Sequence, residues 1–182
     1  MFSWSIRQAV KTLRTGGVIA YPTEAVFGLG CDPWDEMAVA RILDIKQRPW
    51  QKGLILIASD FNQLTDFIAP LSAVILEQIE ASWPGPVTWL LPASETTPDY
   101  LTGEHDTIAV RVTAHPQTVA LCLAAGHALV STSANIAGLT PAKTVRQVRW
   151  QLPEVDTILS GHCGSATQPS QIRDAQTGTV IR

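Results

Sequence analysis

Hydrophobic positions near the start of the chain recur at helical spacing. Ile6, Ala9, Val10 and Leu13 fall at i, i+3, i+4 and i+7, which predicts an amphipathic helix. Ser3 or Ser5 can cap its start, and Gly16-Gly17 ends it. Val18 to Tyr21 then reads as a short buried strand stopped by Pro22. Asp35 to Lys46 reads as a helix closed before Pro49. Leu54–Ala58 is a continuous apolar run of strand length, and helical patterns follow at Asp60–Ile68 and Leu71–Ser82. After the turn Trp83-Pro84-Gly85-Pro86 come strands at Val87–Leu91 and Thr107–Val112, a helix at Gln117–Ala125 and a strand at Ala128–Ser131. A basic helix at Thr144–Gln151 precedes strands near Thr157–Leu159, Ser170–Arg173 and Thr179–Arg182. This alternation predicts an α/β fold with a twisted, mixed sheet. No repeat, low-complexity tract or linker interrupts it, so residues 1–182 read as a single domain.

Composition narrows the class. With 46% hydrophobic and 16% charged residues the chain can bury a core and is not disordered. No apolar run approaches the roughly 20 residues a membrane helix needs. Met1 to Arg14 is broken by charges and lacks a signal-peptide pattern. Cys31, Cys122 and Cys163 are odd in number and share no metal-like spacing, which fits a reduced cytoplasm. His162 and Cys163 have no second ligand pair, so no metal site is assigned.

The net charge of −3 argues against a generic nucleic-acid binder. Its distribution says more. Gly53 to Val110 contains no Lys or Arg, whereas cations gather at Lys46, Arg48 and Lys52, then at Arg111, Lys143, Arg146, Arg149, Arg173 and Arg182. Such segregation can focus positive potential in one cleft of an acidic protein.

Three clusters carry candidate chemistry, and each has a purely structural alternative. Lys46-Gln47-Arg48-Pro49 with Lys52 sits where a helix passes through a loop to a strand. Cations there complement the helix dipole, but an Arg fork beside Lys point charges also suits a polyphosphate. Ser131-Thr132-Ser133-Ala134-Asn135 follows an apolar strand. Its side chains can satisfy a turn or donate to a ligand at the sheet's edge. Tyr21 to Gly30 places Thr23-Glu24 at another strand end; turn chemistry accounts for its Pro and glycines better than for that pair. Gly28-Leu29-Gly30 lacks the third glycine of a dinucleotide fingerprint, and no phosphate loop occurs. A nucleotide would therefore be held largely by side chains.

Taken in order, the motifs Tyr-Pro-Thr-Glu-x-x-x-Gly-Leu-Gly, Lys-x-Arg-Pro, Pro-Gly-Pro-x-Thr, Ala-x-Arg-x and Ser-x-Asn resemble the YrdC/Sua5 family in its short bacterial form, over essentially the whole chain. The resemblance implies an α/β sheet around a concave basic cavity. It also implies synthesis of L-threonylcarbamoyladenylate and diphosphate from L-threonine, bicarbonate or CO2, and ATP. That is the first step of N6-threonylcarbamoyladenosine formation in tRNA, with Mg2+ accompanying ATP and downstream tRNA threonylcarbamoyl-transferase proteins taking the product. By motif, Lys46 and Arg48 would be the catalytic cations. Lys46, Arg48, Lys52, Ser133, Asn135 and Arg182 would bind ATP, and Thr23, Arg111 and Ser170 would bind threonine. Relatives often carry a His in the strand after Lys-x-Arg-Pro, where this chain reads Ile55-Leu56-Ile57-Ala58, so no threonine contact is expected from that strand.

Two rivals remain on the sequence. One is a non-catalytic factor for double-stranded RNA, tRNA or ribosome assembly on the same fold. Separately from that rival, Lys143, Arg146 and Arg149 recur every third residue on a basic helix, a stripe that reads either as a solvated face or as a border of the cavity that meets tRNA phosphates directly. The other rival is the carbamoyl-handling module of hydrogenase maturation, which needs zinc fingers that three scattered cysteines do not supply.

Overall fold

The computed structural model describes residues 2–181. The elements in chain order are α1 (Trp4–Arg14), β1 (Ile19–Pro22), β2 (Phe27–Gly30), α2 (Glu36–Lys46), β3 (Ile55–Ala58), α3 (Ala73–Glu80), β4 (Val87–Pro92), α4 (Asp99–Thr102), β5 (Thr107–Val112), α5 (Pro116–Ala125), β6 (Leu129–Ser133), α6 (Val145–Gln151), β7 (Thr157–Ile158) and β8 (Gln171–Asp174). The eight strands form one mixed sheet in the order β7-β1-β2-β6-β3-β5-β4-β8. Three pairs, β1–β7, β3–β5 and β4–β8, are parallel and the other four antiparallel, the mixed sheet that the sequence led us to expect.

Helix starts follow their caps. The Ser3 hydroxyl accepts from the Ile6 amide, the Asp35 carboxylate accepts from Ala38, and Thr144 with Gln147 closes a full capping box on α6. Three expectations fail. Asp60–Ile68 is a 3-10 turn over Phe61–Phe67 rather than an α-helix. Asp60 caps that turn by accepting from Asn62, only two residues on, a short-range bond that competes with an α-turn. No strand spans Thr179–Ile181; only Val180 bridges to Arg173. And the stretch read as turn chemistry contains β2, which pairs with β1 through Pro22↔Phe27 to Ile19↔Gly30.

The reason β2 hid is Gly30. A side chain there would collide with the Val130 carbonyl and the Tyr21 ring, so the position tolerates no residue of good strand propensity.

The strands' alternation sorts side chains to two faces. On one, Phe27, Leu29, Leu56, Trp89, Leu91, Ile108 and Val110 pack with Ala38, Val39 and Ile42 of α2 in a large core. On the other, Ile19, Tyr21, Ile57 and Leu129 are covered by α1 and α5. Those two helices do not cover the whole of that face, and a cavity lies on the remainder.

Candidate functional site

A cavity of about 460 Å³ opens on the part of the sheet that α1 and α5 leave bare. Its floor is built by period-2 alternation. Ile108 and Val110 of β5 point into the core, so Thr107, Ala109 and Arg111 line the cavity. Gly28 of β2 and Ile55 of β3 lie beside them, and β6 contributes Ser131, Thr132 and Ser133. Leu90, Leu101 and Ile172 supply an apolar flank. A concave, mostly apolar cavity with a few convergent polar groups is the usual form of a small-molecule site.

Two cations stand on one wall. Gln47, in the left-handed conformation at φ 51°, ends α2 and turns the chain so that Arg48 and Lys52 line the cavity. Arg48 Nη2 donates to the carbonyls of Gly53 at 2.9 Å and Lys52 at 3.4 Å, which anchors the guanidinium.

A third cation, Arg111, is buried and faces Glu24, with Nη1 3.4 Å from Oε2. Glu24 Oε1 accepts from the Thr113 hydroxyl at 2.7 Å and from the Ala114 amide at 3.1 Å. Burial alone would raise the Glu24 carboxyl; the Arg111 charge and these donors outweigh it and hold the group below its ordinary value. Arg111 Nε and Glu24 Oε2 are buried with no hydrogen-bond partner. Thr23, next to Glu24, lines the cavity and donates its hydroxyl to Val26 O at 2.7 Å. Ser170, buried, accepts from Thr88 at 2.8 Å and lines the cavity beside Gln168 and Pro169.

The structure therefore brings together Thr23, Arg48, Lys52, Arg111, Ser133 and Ser170. Other residues expected at the site lie off its wall. Lys46 is 3% exposed and donates into the backbone of Ser133 and Asn135. Asn135 spends its amide on the carbonyls of Ile136 at 2.8 Å and Leu139 at 2.7 Å. Lys143, Arg146 and Arg149 are exposed on and just before α6 and do not line the cavity. Arg182 lies outside the described residues.

Sequence reasoning missed Thr107 and the partnership of Glu24 with Arg111. The first was recoverable: stepping back by two from Arg111 on a strand gives Ala109 and then Thr107. The second joins residues 87 positions apart, and no local signal reports it. Among the described residues, no three His, Cys, Asp or Glu side chains group to hold a metal. His162 offers only its carbonyl, to His115 Nε2 at 3.0 Å. The described helices include none long and apolar enough to cross a membrane.

Comparison with known proteins shows the family. The Sua5/YciO/YrdC family model, described as "Telomere recombination", matches residues 11–182. The threonylcarbamoyl-AMP synthase of Nitrosococcus oceani is 54% identical over 181 residues, covering 99% of this chain and 98% of that protein. The crystal structure of P. abyssi Sua5 complexed with L-threonine superposes with a TM-score of 0.86 at 34% identity. It covers 94% of this chain, which spans about half (51%) of the Sua5 chain. E. coli YciO superposes with a TM-score of 0.86 at 31% identity, over 97% of this chain and 87% of that one.

Proposed function

Because this chain belongs to the Sua5/YciO/YrdC family, we propose that it is a threonylcarbamoyl-AMP synthase, an ATP-using transferase that acts in tRNA modification. It converts L-threonine, bicarbonate or CO2, and ATP into L-threonylcarbamoyladenylate and diphosphate. The observation that carries the reading is the convergence of Arg48, Lys52 and Arg111 on one cavity with the hydroxyls of Ser131 and Ser133.

The chemistry assigns the walls. Arg111, held in place by Glu24, takes the threonine carboxylate, and the Thr23 and Ser170 hydroxyls flank the rest of the amino acid. Threonine's neutral amine adds to CO2, forming an N–C bond and, after loss of a proton, a carbamate. A carbamate oxygen then attacks the α-phosphorus of ATP. The new P–O bond forms as the bond to the β-phosphate oxygen breaks, and diphosphate leaves. Negative charge grows on the phosphoryl oxygens and on the leaving group. Arg48, anchored on the Gly53 carbonyl, and the more exposed Lys52 stabilise that charge, a contribution of several kcal/mol in comparable sites. Ser133 donates to the nucleotide from the end of β6.

Mg2+ would accompany ATP and help neutralise the phosphate charge. The apolar flank of Leu90, Leu101 and Ile172 keeps water away from the carbamate. The product is a reactive mixed anhydride, so transferase partners acting on tRNA must take it up, and the cytoplasm supplies all the reactants.

The test is diphosphate release from ATP by the purified protein. It should require both L-threonine and bicarbonate. Release that persists unchanged when threonine is omitted would refute the synthase reading.

A further inference from the structure

Lys46 is the last residue of α2, and its side chain runs inward rather than toward the cavity. Its ammonium donates to the carbonyls of Ser133 and Asn135, the latter at 2.9 Å, and reaches Asn135 Oδ1 at 3.5 Å. A lysine ammonium has three donors, and here all three point at one turn. The backbone of the same residue completes the hold: Lys46 O accepts from the Ala137 amide at 2.9 Å.

That turn needs a donor. β6 leaves its ladder with β2 after Ser133, whose last strand-like bond is the Ala134 amide to Phe27 O at 2.8 Å. Beyond it the backbone curls, with the Asn135 amide bonded to Ser133 O at 3.0 Å. The Asn135 carbonyl, facing inward there, would be costly to leave unpaired, whereas Ser133 O already accepts from the Asn135 amide. Lys46 supplies the missing donor, and Asn135 braces the far side through Ile136 and Leu139. Ser133, on the same turn, lines the cavity.

We propose that Lys46 is a positioning residue: it clamps the turn after β6 and reaches the nucleotide only through the Ser133 hydroxyl that this turn presents. The proposal rests on the reading of the cavity as an ATP site. It divides the Lys-x-Arg motif into two jobs, with Lys46 facing the protein and Arg48 facing the ligand. Burial pushes the Lys46 ammonium down to about 8, with Arg48 adding repulsion, in keeping with a group withdrawn from solvent.

The test has two arms. In unliganded protein, Lys46→Met should speed amide hydrogen exchange over residues 133–137 by at least about tenfold, leaving β3 and β5 protected. For ATP binding by calorimetry, Lys46→Met should weaken affinity about tenfold. Adding Ser133→Ala to it should cost less than twofold more, because the two act in series. The KM for threonine should stay within about twofold of wild type. Unchanged exchange together with lost ATP affinity, or fully additive Lys46 and Ser133 effects, would overturn the proposal and make Lys46 a direct phosphate contact.

Should Lys46→Met fail to fold, the wild type decides. The Lys46 ammonium signal in nitrogen-15 NMR should be slow to exchange and unmoved by ATP, while that of Lys52 shifts; a shift at Lys46 overturns the clamp. If wild-type protein binds no ATP at all, the nucleotide reading of the cavity fails, and the exchange arm still reports on the clamp by itself.

Discussion

Arg111 of β5 and Glu24, in the turn between β1 and β2, face one another in the cavity wall with Nη1 and Oε2 3.4 Å apart. Removing one member would leave the other charged and poorly solvated, which is more costly than never having had the pair. Glu24 is tied down from behind by Thr113 and Ala114, so it fixes the guanidinium without filling its donors.

A pH dependence follows. Glu24 is depressed below its ordinary value of 4.5. The unfolded chain therefore takes up this proton at a higher pH than the folded one does. The stabilisation is fully present above about pH 4.5 and is lost as pH falls through the lower folded value. Glu24→Gln should be less stable than wild type at pH 6, by on the order of 3 kcal/mol. The gap should narrow on acidification, by at most about 2 kcal/mol by pH 3 for a single carboxylate. Denaturant titrations across that range provide the check; a constant gap would mean that Glu24 acts by shape and not by charge.

Arg48 should matter for rate. Arg48→Ala is expected to lower turnover about 100-fold, roughly 2.7 kcal/mol of transition-state stabilisation. Arg48→Lys should recover only part, since a point charge cannot reproduce the planar fork held by the Gly53 carbonyl. Single-turnover diphosphate release, with melting curves to confirm folding, measures both.

Ser133 and Asn135 belong to one motif but should respond differently. Ser133→Ala should weaken ATP binding with little change in melting temperature, because its side chain lines the cavity. Asn135→Ala strips the Leu139 carbonyl of its side-chain donor, leaves Ile136 O with the Leu139 amide alone, and should cost about 1–3 kcal/mol of stability. Calorimetry and thermal unfolding of the two single variants separate the roles. Equal losses in both measurements would count against the division.

The exposed stripe of Lys143, Arg146 and Arg149 lies off the cavity. We expect the double reversal Arg146→Glu with Arg149→Glu to weaken tRNA binding and to flatten its salt dependence. Threonine-dependent diphosphate release should survive intact. Affinities of wild type and variant measured at low and moderate salt decide it; if they coincide, the stripe is an ordinary solvated face.

Much of the protein was legible in its sequence, because the signals that specify it are local. The periodicity of Ile6 to Leu13, the Asp35 and Thr144 caps and the alternation of Thr107–Val112 each act within a few residues. The elements they predict are present. Motif order likewise pointed to Thr23, Arg48, Arg111 and Ser133, while the basic cluster added Lys52 and the C-terminal resemblance Ser170; all six line the cavity. What the sequence could not determine was direction. Lys46 and Arg48 are two residues apart in one basic motif, and only the αL turn at Gln47 sends one inward and the other to the ligand side. β2 was equally hidden, since Gly30 is required by Val130 and Tyr21 pressing on it from other strands. Those contacts join residues far apart in the chain. Local propensity carries no record of which distant carbonyl or carboxylate will stand opposite, so only the folded sheet could assign Glu24 to Arg111 and Lys46 to the turn after β6.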